Sequence, residues 1–339
     1  MRPPLVTAEL RTAMARDRAR YPLKATREQY GETLQELAEA YPDLLVLTAD
    51  LMHATGMVEF GRRFPDRLIN VGIAEQNMTG IAAGLSLAGR QVIVDGYAAF
   101  TTLRAVEQAK VDAAYNATKI VLTGQSAGLS YSVGGPTHQT YEDVAIMRAI
   151  PNMIVLVPSD ACEVDACLKA SVAHRAATPI YVRLGRGHEH SYSDAAETFV
   201  IGRATTVRRG DDIAIIANGS MVFEAMLASD HLKTTGIGAR VINMHTVKPL
   251  DRSAIEKAAR EVSAILVVEE HSVIGGLGGA VTEAASELRH GPIRLLGIPD
   301  IFPPIGPVFE LREWLGLSAA DIVAHAQELL TAIALEAAD

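Results

Sequence analysis

Apolar residues in this chain gather into short, nearly continuous runs separated by longer stretches of helical character. The first series is LLVLTAD (44–50), QVIVDGYAAF (91–100), KIVLTG (119–124), MIVLVPSD (153–160) and PIYVRLG (179–185). A second series follows as DIAIIANGS (212–220), RVINMHTV (240–247), AILVVEE (264–270) and IRLLGIPD (293–300). Runs that are apolar throughout, rather than alternating, belong to strands buried on both faces, as in parallel sheets covered by helices. The intervening stretches fit helices. In TREQYGETLQELAEAYP (26–42), Thr26 and Gln29 stand at capping-box spacing and Pro42 marks the end. Strand–helix alternation predicts an α/β fold.

Two series of strands predict two domains, each a mainly parallel sheet covered by helices. The stretch RGHEHSYSDAAETF (186–199) breaks the pattern with polar and charged residues, which marks a boundary. We therefore expect an N-terminal arm (1–24), a first domain (25–187), a linker (188–199) and a second domain (200–335). A chain of 339 residues with 49% hydrophobic content is long enough for two cores.

Charge narrows the function. Charged residues make up 21% of the chain and the formal net charge is -9, with no basic block, so nucleic acid is not the expected partner. No apolar run reaches membrane-spanning length, and no membrane association is expected. The first 24 residues carry Arg11, Arg16, Arg18 and Arg20 beside Glu9 and Asp17. They lack a long apolar stretch and read as an interface arm rather than a targeting signal. Cys162 and Cys167 lie in one helical stretch, SDACEVDACLKA. These are too few ligands for zinc and too few cysteines for a disulfide framework. Two reduced thiols suit a cytoplasmic protein.

In open parallel sheets, ligands meet the carboxyl ends of the strands. Asp50, Tyr97, Phe100 and Gly124 fall at such ends, and Arg186 lies just beyond another. The segment INVGIAEQNMTGIAAGLSLAG (69–89) puts Glu75 in the first turn of a helix rich in small residues. A carboxylate there either complements the helix dipole or takes part in acid–base chemistry. In DGYAAFTTLRAVEQ (95–108), Tyr97 and Phe100 are either two core rings or a stacking wall for a flat heterocycle. In GLSYSVGGPTHQTYEDVAIMRAIPN (128–152), Gly134, Gly135 and Pro136 fix a loop with His138 at its exit. That histidine is an acid, base or donor, or else structural. Arg186, between two glycines in YVRLGRGHEH (181–190), can clamp a phosphate or lie solvated. His188 and His190 have a spacing compatible with metal binding, but they fall in the expected linker and no metal site is expected. In VVEEHSVIGGLGGAVTEAA (267–285), Gly276 and Gly278 lack the third glycine of a dinucleotide loop, so no nicotinamide site is expected.

Taken in order, GIAEQNM, GYAAFTTLRAVEQ, GGPTHQ, EDVAIMRAIPNM, YVRLGRG, INMHTVKPLD (242–251) and EEHSVIGGLGGAV (269–281) resemble the transketolase family. The likeness is greatest to the C-terminal subunits of split transketolases. It implies a thiamine-diphosphate-binding fold followed by a transketolase C-terminal domain. It also implies thiamine diphosphate and Mg²⁺ as cofactors and transfer of a two-carbon ketol unit from a ketose to an aldose. Family members carry a diphosphate-binding domain with a Gly-Asp-Gly motif. Here the nearest match is Gly210-Asp211-Asp212, which opens the second domain's first strand. The resemblance therefore implies an N-terminal transketolase subunit as partner, in a dimer of heterodimers, holding the metal and diphosphate. By the same resemblance, Glu75 holds N1′ of the aminopyrimidine, Phe100 stacks on it and Tyr97 extends the wall. Asp50 lies near the thiazolium side, His138 faces the reacting carbons, and Arg186 binds a terminal phosphate.

Three departures stand out. Many transketolases have Asp where this chain has Gly134, and His where it has Gly124, and the loop 129–133 differs in spacing. A modified or branched ketose is then the expected donor, with Gln125 and Tyr131 as replacement contacts. The alternatives are the beta subunit of a 2-oxoacid dehydrogenase, half of a deoxyxylulose-phosphate synthase, and a non-catalytic scaffold. MRAIPNM, HTVKPLD and EEHSVIGGLG fit transketolase better than the dehydrogenase. Retention of Glu75, the aromatic pair and His138 argues against the scaffold.

Overall fold

The computed structural model describes residues 6–193 and 199–336. The first series of apolar runs, joined by Leu68–Asn70, forms six parallel strands. In spatial order they are Ile154–Leu156, Ile180–Arg183, Ile120–Gln125, Gln91–Tyr97, Leu44–Thr48 and Leu68–Asn70. Leu47, Val94 and Leu122 are completely buried in this sheet, which is why those runs carry no polar alternation. The second series builds a five-stranded sheet in the order Ile293–Ile298, Ala264–Ser272, Ile213–Ala217, Ala239–Asn243 and Thr205–Arg208. Only its edge strand, Thr205–Arg208, is antiparallel. Helices cover both sheets, giving two α/β units. Among the described residues no helix is long and apolar enough to cross a membrane.

The helix Thr26–Ala40 shows how pattern becomes packing. Tyr30, Thr33, Leu34, Leu37 and Ala38 are buried along one stripe of helical period. Its expected capping box is not formed. Thr26 is already the first helical residue, and Ala25 at the cap offers no side-chain acceptor. Thr26 N–H instead donates to the Gly187 carbonyl, and the Gln29 amide donates to Thr33. The backbone supplies the acceptor that the sequence signal assigned to a side chain.

Three further expectations change. The run QVIVDGYAAF stops being a strand at Tyr97, and Ala99–Arg104 forms a π-helical turn. The run RVINMHTV is two strands rather than one. Ala239–Asn243 belongs to the second sheet, whereas Thr246–Lys248 crosses over and pairs antiparallel with Ile154–Leu156 of the first. The stretch 188–199 opens with a strand, His188–His190, paired antiparallel with Leu23–Ala25. Residues 194–198 lie outside the described residues.

Buried charges fasten these parts together. Helix Ala8–Arg18 of the arm ends in Arg18, whose guanidinium binds both oxygens of buried Glu224 in the second unit, at 2.5 and 2.7 Å. Arg312, almost completely buried, bonds Glu270 at 2.5 Å and Glu189 at 3.0 Å. Glu189 belongs to the strand His188–His190, so Arg312 joins the two units. Burial opposes the charge on each of these groups. For Arg312 the surrounding glutamates win and its pKa rises, whereas for Glu189 burial wins and the carboxyl is pushed up. Arg18 and Arg312 prevail over burial at Glu224, whose carboxyl is lowered.

The segment EEHSVIGGLGG has its role here. Glu269 accepts the first backbone N–H groups of helix Leu277–Ala285, from Leu277 and Gly278. Glu270 accepts Leu129 N–H, and His271 accepts Ala145 N–H from the first unit. A helix-capping carboxylate and two cross-domain contacts account for residues that otherwise suggest a nucleotide loop.

Removing one partner from such a cluster strands the others. Arg312→Ala is expected to cost about 3–5 kcal/mol of unfolding free energy, because Glu189 and Glu270 stay buried without their cation. Arg62→Ala, at the exposed pair with Glu59, should leave stability unchanged. Urea unfolding of the two variants checks the contrast.

Candidate active site

The site forms at the carboxyl edge of the first sheet, where strands end and loops begin. Tyr97 is the last residue of Gln91–Tyr97, and Gln125 is opposite it in register at the end of Ile120–Gln125. The π-helical turn then carries Phe100 back beside Tyr97, with ring centroids 6.1 Å apart. An extra residue in a helical turn re-aims side chains, and such turns recur at functional sites. Tyr97 is almost fully buried, so Phe100 is the more accessible face of the aromatic pair.

Glu75 is the first residue of helix Glu75–Leu87 and is 2% exposed. Its Oε2 accepts a bond of 2.7 Å from Arg104, and the Arg104 guanidinium lies 4.3 Å above the centre of the Phe100 ring. Glu75 and Phe100 therefore border one flat space from its edge and its floor.

The loop Ser132–Thr137 delivers His138 to the same place. Its ring centre is 5.5 Å from Phe100, 6.1 Å from Tyr97 and 5.4 Å from Tyr131. His138 Nδ1 shares a 2.8 Å hydrogen bond with the Thr137 hydroxyl, which orients the ring. Arg186 leans over Tyr131 at 4.1 Å and reaches Tyr97 at 5.9 Å. Its Nη1 is buried without a hydrogen-bond partner.

Sequence reading passed over Arg27 and Arg104. Arg27 follows Thr26 at the start of its helix, and the bond from Thr26 N–H to the Gly187 carbonyl ties that helix start to the Arg186 loop. Burial pushes the Tyr97 phenol up, against the pull of both Arg186 and Arg27. Two guanidinium groups thus act on one tyrosine, and among the described residues neither has a carboxylate partner in ion-pair range. A helix start beside a strand-end loop was the available signal for Arg27. Arg104 gave none, because its position depends on the π-helical turn.

Two expected contacts sit differently. Asp50 is exposed just beyond Leu44–Thr48, with a positive φ of 62°, and it exchanges hydrogen bonds with Asn70 rather than with the aromatic group. Gln125 is buried to 1% exposure, and its amide donates to Asp95 at 3.4 Å. His188 and His190, weighed as metal ligands, lie in a strand, and the His190 ring stacks on Phe223 at 4.6 Å. Among the described residues no cluster of His, Cys, Asp and Glu is placed to hold a metal ion.

Neither Gly124 nor Gly134 has room for a side chain in this fold. A Cβ at Gly124 would fall 2.2 Å from the Tyr181 hydroxyl, which is bonded to buried Asp143 at 2.6 Å. A Cβ at Gly134 would fall 2.8 Å from Cβ of His138. Tyr181 and His138 occupy the space that larger residues would need.

Behind Tyr97 lies a buried polar group with no cation. Asp95 is fully buried among Thr55, Tyr30, Gln125 and Thr123, and burial pushes its carboxyl up to about 7. A carboxyl raised above an unfolded value of about 3.9 binds its proton more tightly in the folded chain. Its stabilising contribution is complete below pH ~4 and lost as pH rises to ~7, a span of up to about 4 kcal/mol. Glu163, raised to about 7 by burial, acts in the same sense elsewhere. Asp95→Asn should therefore gain stability relative to the parent chain between pH 5 and pH 8. Urea midpoints of both proteins at the two pH values measure that gain, and an equal fall in both would contradict it.

Comparison with known proteins gives the family. Residues 23–189 match the transketolase pyrimidine binding domain, and residues 202–322 match the transketolase C-terminal domain. The chain is 38% identical over 303 residues to a 6-deoxy-6-sulfo-D-fructose transketolase subunit of Clostridium sp. (strain MSTE9), covering 89% of this chain and 94% of that one. It is 38% identical over 307 residues to an apulose-4-phosphate transketolase subunit of Phocaeicola vulgatus, covering 90% and 97%. Among solved structures, a split gene transketolase described as an inactive beta4 tetramer superposes with a TM-score of 0.84 at 40% identity, covering 91% of this chain and 98% of that one. A transketolase from Leishmania mexicana shares the fold at 23% identity with a TM-score of 0.79, and the match spans 93% of this chain but 47% of that one. The chain belongs to the transketolase family, as a subunit that carries the pyrimidine-binding and C-terminal domains.

Proposed function

We propose that this chain is the pyrimidine-binding half of a two-chain transketolase that moves a two-carbon ketol unit from an anionic ketose to an aldose. The observation that carries this reading is that buried Glu75 and the Phe100 ring meet one planar group, the Arg104 guanidinium, at its edge and its face. A flat, nitrogen-bearing ring would meet the same two surfaces that the Arg104 guanidinium now touches. Thiamine diphosphate, when bound, supplies the nucleophilic carbon and the electron sink for carbon–carbon bond cleavage. Glu75 would hold and share the proton at the pyrimidine nitrogen, while Phe100 and Tyr97 would fix the ring plane. His138, beside Phe100, would hold the donor's oxygen atoms near the reacting carbon.

Arg27 and Arg186 would take the donor's anionic end. Support comes from their lack of carboxylate partners among the described residues and from the relatives, whose names carry a sulfo sugar and a sugar phosphate. With no side chain at Gly134 to read a hydroxyl, the donor would differ from the commonest ketose phosphates at that position. Asp50 would lie toward the thiazolium side, and Gln125 would act from behind Tyr97. The partner would be an N-terminal transketolase subunit that holds the diphosphate and Mg²⁺, in a dimer of heterodimers. Span supports this, since the match takes in 47% of the Leishmania mexicana transketolase chain. With two free cysteines we place the enzyme in the cytoplasm.

In the enzyme reconstituted with such a partner, Glu75→Ala should lower kcat by about 10²–10⁴-fold. Arg27→Ala and Arg186→Ala should each raise KM for a phosphorylated or sulfonated ketose by about tenfold, with kcat changed little. Steady-state kinetics decide both. Full turnover by Glu75→Ala would remove the proton-sharing role, and an unchanged KM in the double arginine variant would remove the anion clamp.

A further inference from the structure

We propose that Arg104 closes the pyrimidine site in the isolated chain, acting as an internal stand-in that the cofactor's ring must displace. The inference rests on the reading of Glu75 and Phe100 given above. A flat heterocycle at that site needs two things: an aromatic face beneath it and a carboxyl at its edge. Arg104 takes both. Its planar guanidinium lies 4.3 Å over the Phe100 ring, and its Nη1 donates to Glu75 Oε2 at 2.7 Å. One oxygen of Glu75 and one face of Phe100 cannot serve two planar groups at once.

The local fold makes the plug removable. Arg104 is the last residue of the π-helical turn that begins at Ala99, so the turn that presents Phe100 also hangs Arg104 over it. Glu75 is 2% exposed, but the Arg104 side chain is 46% exposed. Rotation about the Arg104 side-chain bonds would release both contacts into solvent without moving the backbone. Binding to a chain that is competent only when Arg104 is out is weakened by the fraction of chains that are open. Cofactor affinity would then depend on whatever holds Arg104 aside, which places a control point at this residue. The exposed apolar side chains of Ile73 and Leu103 lie in the two segments that carry Glu75 and Arg104, where a docking partner would reach it.

The test uses the full chain and the aminopyrimidine alone, 4-amino-5-hydroxymethyl-2-methylpyrimidine, with binding followed by saturation-transfer NMR. Arg104→Ala and Arg104→Gln remove the guanidinium, and the second keeps a long, helix-tolerant side chain should the first fail to fold. Both variants are expected to bind the pyrimidine about tenfold or more tightly than the parent chain. Adding Glu75→Ala to either should abolish that binding. Affinity equal to or below that of the parent, or no binding by either variant, overturns the plug. If the parent and the Arg104 variants bind equally but Glu75→Ala does not bind, the pyrimidine site stands and the plug alone falls. Binding that tightens yet survives Glu75→Ala puts the ring elsewhere and defeats both readings.

Discussion

The buried arginine–carboxylate cluster between the two α/β units is the constraint on which the rest depends. Arg183 bonds Asp143 and reaches the carbonyls of Thr140 and Glu270, while Glu270 accepts from both Leu129 N–H and Arg312. Leu129 and Thr140 bracket the loop that bears Tyr131 and His138. Glu270 of the second unit thus holds one end of a loop that the first unit presents, and Arg183 of the first unit, itself bonded to the Glu270 carbonyl, holds the other. Ser272 N–H bonded to the Tyr141 carbonyl, and His271 bonded to Ala145 N–H, extend the same grip. Charges this deeply buried contribute modest net stability when paired and a large penalty when unpaired, so they favour one arrangement over near alternatives. That selectivity would suit a loop proposed to contact substrate.

Much of this was legible in the sequence. Each continuous apolar run begins within a residue of a sheet strand, because a strand buried on both faces leaves no room for polar alternation. Glu75, Tyr97, Phe100, His138 and Arg186 could be singled out because each falls at a strand end, a helix start or a glycine-fixed loop. The misreadings come from contacts made by the backbone. Thr26 and Gln29 have capping-box spacing, yet the Gly187 carbonyl takes the Thr26 N–H. A single apolar run at 240–247 serves two sheets, since its second half finds its partner across the domain boundary. Arg104 carried no local signal and Arg27 only a faint one, because their positions follow from a π-helical turn and from a tertiary bond.

The substitutions at Gly124 and Gly134 are as informative as the matches. Read from sequence, they remove two side chains that related enzymes use. In the folded chain a side chain at either position would collide with a neighbour, Tyr181 in one case and His138 in the other. Tyr131, with Arg186 stacked on it at 4.1 Å, stands beside Gly134. Donor selection would then rest on aromatic surface and guanidinium charge more than on a carboxylate that counts hydroxyls.

The central claim is that this chain contributes half of an active site. Ketol transfer should be measured with thiamine diphosphate and Mg²⁺ for this chain alone, for a chain bearing the diphosphate-binding domain alone, and for the two mixed, across phosphorylated and sulfonated ketoses. The account predicts transfer only in the mixture. Transfer by this chain alone, or a mixture that cleaves a 2-oxoacid and leaves every ketose untouched, would contradict it.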